Sequence, residues 1–248
     1  MTYPSISHMP WLTTAQMVEV DRVMIEDFGI ELLQMMENAG RALARVARER
    51  FLAGDPRAKH VAVLAGPGGN GGGALTCARR LAGWGAQVAV FLAAPAEAFA
   101  PVPAKQLDIL RRIGVPVQDA AAVRSSTPAE LVIDGVIGYS LTGAPRGPAG
   151  ELIEWANTQR APILALDVPS GIDTTTGTVH RPAIRATATL TLALPKEGLR
   201  APEAAQHVGE LYLADISVPP ELYARMNPPV AVGPLFAHDD VVQVSCPA

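Results

Sequence analysis

The chain has 248 residues, of which 49% are hydrophobic and 18% charged, and its formal net charge is -4. This excludes a disordered or highly charged chain, and the length is enough to bury a full core without disulfide or metal staples. The mild acidity argues against a protein that grips nucleic-acid phosphates without sequence preference, and leaves room for a local basic patch.

The opening residues, MTYPSISHMPWLTTAQM, have neither a basic start nor an apolar h-region. No signal peptide is read, and the cytoplasm is the expected compartment. The spacing of Met17, Val20, Met24 and Phe28 predicts a helix over 13–28, capped by Thr13 or Thr14 and stopped by Gly29. A second helix is predicted over 31–51, with Leu32, Leu33, Met36, Leu43, Val46 and Ala47 on one side. This Met and Leu stripe reads as core. Asp55 and Pro56 end it. Residues 61–64 form a short apolar run, as in a strand buried on both faces. A Gly-rich turn over 66–73 leads into a helix over 74–84 and a strand over 88–92. That is a βαβ unit, which calls for a parallel sheet and a right-handed crossover.

The alternation continues with a helix over 104–113, a short strand over 115–117 and a strand over 131–133 that ends at Asp134. A Gly- and Pro-rich loop spans 138–150, and a helix spans 151–159. Strands are then predicted over 163–166, ending at Asp167, over 188–194, ending near Lys196, and over 211–214, ending at Asp215. After Pro219 the pattern fades into what reads as a loose tail. No apolar run reaches the roughly 18 to 20 residues of a membrane span. No linker or change in composition divides the chain. The expected architecture is a single α/β domain. It is a three-layer α/β/α Rossmann-like sandwich with a mostly parallel sheet over 60–222, a helical extension over 1–52 and a tail over 223–248.

In such a sheet, ligands bind outside the carboxyl ends of the strands. Residues 66–73 hold six glycines in eight positions. A loop of that kind lets the backbone approach an anion, and the alternative is a tight turn. It is not a Walker loop, and the Gly-x-Gly-x-x-Gly match on Gly66, Gly68 and Gly71 is weak in so long a Gly run. Asp134 and Asp167 each read alone as a cap or turn residue. Together at strand ends they could bind a cation or handle protons. Asn70 and Ser170 add neutral oxygens, a set that suits a hard, weakly held cation rather than zinc. Lys196 either meets a phosphate or is solvated. Ser170 lacks the frame of a hydrolase nucleophile. His180 and His207 have no partner at readable spacing. Of the two cysteines, Cys77 reads as a small buried residue in a helix and Cys246 as part of the tail, so neither a disulfide scaffold nor a Cys-rich zinc site is expected.

Four ordered segments carry a family resemblance. They are LTTAQMVEVDRVMIEDFGI with MMENAGRALA, VAVLAGPGGNGGGALTCARRL, VIDGVIGYSLTGAPRGPAGELIEWAN, and ILALDVPSGIDTTTGTV with its trailing strands. From about Leu12 to Leu222 the chain resembles the NAD(P)H-hydrate epimerases of the YjeF N-terminal domain family. The resemblance implies an isomerase that interconverts the R and S epimers of hydrated NADH and NADPH. It implies that Gly69, Asn70, Gly71, Gly72 and Gly73 line the substrate, with Gly138, Tyr139, Ser140, Leu141, Thr142, Gly143, Ala144 and Asp167. Asn70, Asp134 and Ser170 would hold a potassium ion, and Asp167 would shuttle the proton. Two positions depart from the family's loop, whose Asn and Asp stand here as Gly69 and Gly73. The resemblance also implies a homodimer and a dehydratase, here expected as a separate protein. A non-catalytic nucleotide-binding module of the same fold is the alternative. A scaffold with the leading helices as its partner surface is a third reading.

Overall fold

A computed structural model describes residues 3–245. In chain order its elements open with β1 (Ser5–Ile6), α1 (Thr14–Glu26) and α2 (Leu32–Val46). They continue with β2 (His60–Ala65), α3 (Gly69–Gly83), β3 (Gln87–Leu92), α4 (Pro101–Arg112), β4 (Val117–Asp119) and β5 (Leu131–Gly135). The second half holds α5 (Gly147–Thr158), β6 (Ile163–Leu166), β7 (Ala188–Leu192), α6 (Pro202–Val208), β8 (Glu210–Ala214), α7 (Pro220–Arg225) and β9 (Val241–Val244).

One sheet runs in the order β1-β9-β8-β7-β6-β5-β2-β3-β4. Every pairing is parallel except β8 with β9. The strands alternate their side chains between two cores. Val61, Val63 and Ala65 of β2 face α2, α3 and α4, and Ala62 and Leu64 face α5. This is the expected three-layer sandwich. The chain leaves β2 toward β3 and β4, then returns to place β5 on the other side of β2. The crevice between the β2 and β5 carboxyl ends is therefore the switch point where a ligand site is favoured.

The leading helices are the expected extension packed on the core. Leu43, Val46 and Ala47 sit in the same core cluster as the strands, and α1 helps close a third cluster with α7. The second helix passes into a single π turn at Ala47–Phe51. The C-terminal segment is not a loose tail, because β9 pairs with both β8 and β1. Ser5–Ile6, α6 and β9 are too short to show a period in sequence. The strand expected over 115–117 begins at Val117, after Pro116 at a position that cannot donate to a ladder. Cys246 lies outside the described residues.

The Gly-rich segment also differs. The predicted turn over 66–73 is a turn only to Gly68, and α3 begins at Gly69, five residues earlier than expected. Sequence reasoning favours a loop because glycine is a poor helix former. Packing overrides that preference. A Cβ on Gly40 of α2 would lie 2.4 Å from Thr76 Cβ and 2.8 Å from Gly73 O. The two helices approach so closely that α2 can carry no side chain at position 40, where Thr76 of α3 fills the gap.

Candidate active site

The site forms where these carboxyl ends meet α1 and α2. A cavity of about 540 Å³ opens there, within the usual range for a small-molecule site. Its walls come from Met17, Asp21 and Ile25 of α1, from Met35 and Met36 of α2, and from the segments after β2, β5, β6 and β7. Part of the Met and Leu stripe read as core, Leu32 and Met36, is therefore cavity wall.

Gly68 precedes α3 with no side-chain cap. The first N–H groups of a helix have no partner inside it, so this end is open to an anion. Gly69, Asn70 and Gly73 line the cavity. Gly71 and Gly72 do not: one packs against Gly66 and the other against Met36 and Pro103. From the second predicted loop, Gly138, Tyr139 and Ser140 line the cavity, while Leu141, Thr142, Gly143 and Ala144 fall outside its wall. At the departures from the family pattern, a Cβ on Gly69 would meet nothing within 4 Å, and one on Gly73 would lie 2.7 Å from Leu166 Cδ2.

Asp167 follows β6 at the cavity floor in the left-handed region, at φ 65. Few non-glycine residues adopt that conformation, and Asp and Asn are enriched among those that do. Lys196 Nζ donates to Asp167 Oδ1, to Thr191 Oγ1 at 3.2 Å and to Leu192 O at 2.9 Å. The lysine is fully buried and Asp167 is 4% exposed. Lys196 is thus neither solvated nor free for a phosphate, the two roles read from sequence. The N-terminal arm fixes it there: Leu12 N donates to Pro195 O at 2.8 Å and Leu12 O accepts from Glu197 N at 2.9 Å. No sequence signal marks this pair beyond the shared placement at strand ends.

On the α1 wall, Tyr139 Oη donates to Asp21 Oδ2. Burial pushes the Asp21 carboxyl above its ordinary range, opposed by Tyr139 and Lys196 and reinforced by Asp167. Sequence reasoning missed Asp21, which lies on a helix read as peripheral.

Beneath the cavity, Asp134 is fully buried. Ser170 donates to it twice, from Oγ at 2.6 Å and from its backbone N–H at 2.8 Å. Val136 N donates to Asp134 Oδ1 at 3.2 Å. Burial pushes the carboxyl up to about 6, against these three bonds. Ser170 Oγ also accepts from Ile137 N at 2.8 Å. The Asn70 Nδ2 atom is buried with no partner among the described residues. Turning the amide over would place its oxygen at that spot. A buried carboxylate hydrogen-bonded to no cationic side chain, a hydroxyl and an unsatisfied amide make an oxygen-rich set that fits a hard monovalent cation.

Residues 32–198 match the family model described as YjeF-related protein N-terminus. A protein of Dehalogenimonas lykanthroporepellens named NAD(P)H-hydrate epimerase is 41% identical over 215 residues, 86% of this chain and 84% of that one. One of Weissella koreensis with the same name is 35% identical over 88% of this chain and 97% of that one. A Bifunctional NAD(P)H-hydrate repair enzyme Nnr of Salinibacter ruber is 36% identical over 87% of this chain but only 42% of its own length. The chain spans less than half of that bifunctional relative. The crystal structure of yeast ynu0, YNL200c, superposes with a TM-score of 0.77 at 25% identity, covering 95% of this chain and 100% of that one. With a family model over most of the chain and relatives matched along most of their own length, the chain belongs to the YjeF N-terminus family.

Proposed function

We propose that this protein interconverts the R and S epimers of hydrated NADH and NADPH. The observation that carries the reading is a buried carboxylate, Asp167, held by Lys196 at the floor of a cavity large enough for a hydrated nicotinamide ring, in a chain of this family. Hydration of a dihydronicotinamide places a hydroxyl on the ring carbon beside the ring nitrogen. Inverting that carbon requires a bond there to break and re-form. Asp167 accepts the hydroxyl proton and later returns it. Lys196 donates to Asp167 and fixes its direction. The open end of α3 is free to hold the dinucleotide's phosphates.

Asn70, Asp134 and Ser170 would hold a potassium ion, which supplies positive charge against the buried Asp134 carboxylate at the switch point. The fit has a thermodynamic signature. Asp134 sits at about 6, above its ordinary 3.8. Between those values the folded protein binds more protons than the unfolded one, so this group's contribution to stability falls as pH rises. The full cost, about 3 kcal/mol, is present above both values. An ion that offsets it raises the thermal midpoint more at about pH 8 than at about pH 5. Equal shifts at both pH values, or the same shift in Asp134→Asn, contradict the assignment.

A dehydratase of the same hydrates belongs to this reading as a reaction partner, supported by the bifunctional relatives. A homodimer belongs to it as well, supported by Val18 and Ile25, large apolar side chains exposed on α1; light scattering tests it. No helix among the described residues is long and apolar enough to cross a membrane.

Epimer-resolved chromatography of a hydrate mixture enriched in one epimer tests the reading. Purified protein with potassium is expected to speed the approach to the equilibrium ratio well beyond the spontaneous rate. Dinucleotide binding without that acceleration selects the non-catalytic module.

A further inference from the structure

The two carboxylates that line the cavity are not equivalent. Asp167 has a lysine of its own, with three of its neighbours arranged around that ammonium. Asp21 has none: its hydrogen-bond partner is the hydroxyl of Tyr139, and it reaches the cavity from α1 rather than from a strand end. Both Asp21 and Tyr139 line the cavity, together with Asp167 and Lys196. With one carboxyl group paired with a cation and the other holding a neutral hydroxyl, the cavity presents both a base and a proton donor.

We propose that Tyr139 is the acid that faces Asp167 across the reacting ring, with Asp21 as the positioning residue that holds its hydroxyl. This rests on the epimerase reading and deepens it.

The step balances without any co-reactant. Asp167 takes the hydroxyl proton as the carbon–oxygen bond becomes a carbonyl. The carbon–nitrogen bond breaks, and its electron pair goes to the ring nitrogen. That nitrogen takes the Tyr139 proton, leaving the tyrosine oxygen negative while Asp167 is neutral. The freed aldehyde turns about its carbon–carbon bond. The nitrogen then closes on the opposite face, its proton returns to Tyr139, and Asp167 returns its proton to the oxygen. Nothing is oxidised or reduced. The proton must be present on the acid side at the start, and the surroundings favour this. Burial and the neighbouring Asp21 carboxyl hold the proton on Tyr139. The groups that face Asp21 are Tyr139 from the loop after β5, Asp167 after β6 and Lys196 after β7, with Tyr223 of α7 beyond. Lys196 is the one cation among them and is already engaged by Asp167.

The test measures epimer equilibration by wild type, Asp21→Asn and Tyr139→Phe across pH, with circular dichroism and thermal midpoints as folding controls. Tyr139→Phe removes a single oxygen and leaves the cavity filled, so it decides the matter if Asp21→Asn does not fold. Folded variants are expected to lose about 100-fold in kcat, with KM changed by less than about threefold. A folded Tyr139→Phe within about twofold of wild type overturns the proposal and leaves the epimerase reading standing. Wild type with no acceleration overturns the reading first and the proposal with it.

Discussion

Replacing Lys196 by methionine is expected to destabilise the protein by about 3–5 kcal/mol and to abolish turnover. The lysine is fully buried, and its removal strands the Asp167 carboxylate in a site that is 4% exposed. Asp167→Asn alone carries a comparable penalty, because it strands the ammonium instead. The sequence on its own points to a milder outcome for Asp167→Asn, loss of rate with the fold untouched, since nothing in it reveals the lysine beneath. The double variant Asp167→Asn/Lys196→Met removes both charges together. Asparagine tolerates the left-handed backbone at position 167, and methionine fills the lysine's channel at similar length. The double variant is therefore expected to recover most of the lost stability without recovering activity. Urea titrations of the three variants measure this. Additive losses would show that the two side chains do not act as a pair.

The second large effect lies in the Gly-rich segment. Gly71→Ala is expected to cost more than about 3 kcal/mol, because overpacking already costs about 1–3 kcal/mol where side chains can yield, and here backbone is in the way. The added Cβ would sit 1.8 Å from Gly66 O. Gly69→Ala, two residues earlier in the same helix, meets nothing within 4 Å. Its effect is expected to stay within about 0.5 kcal/mol. Thermal midpoints of the two variants, side by side, separate close packing from general helix preference. If both fall equally, the glycines are there for the backbone alone.

These two cases show what the sequence could and could not reveal. The alternation of apolar runs with helical periods made the parallel sandwich legible, because burial on both faces leaves a clear pattern in β2, β5 and β6. The placement of Asn70, Asp134, Asp167 and Ser170 at strand ends was legible for the same reason. The start of α3 was not, because the local cost of glycine hides a helix whose glycines answer to α2 and to the strand ends. The terminal strands were not, because a two-residue and a four-residue strand depend on a partner far away in the chain. The pairing of Lys196 and the presence of Asp21 were missed for a third reason. Each is an ordinary charged residue in sequence, and only the fold brings it to Asp167 and to Tyr139.

In the proposed function, the charged floor of this cavity converts one hydrate epimer into the other. The most direct measurement is the epimer equilibration rate of wild type beside that of the Asp167→Asn/Lys196→Met variant, both folded and both with potassium. Wild type is expected to accelerate equilibration and the variant to fall to the spontaneous rate. A variant that equilibrates the epimers as fast as wild type would contradict it.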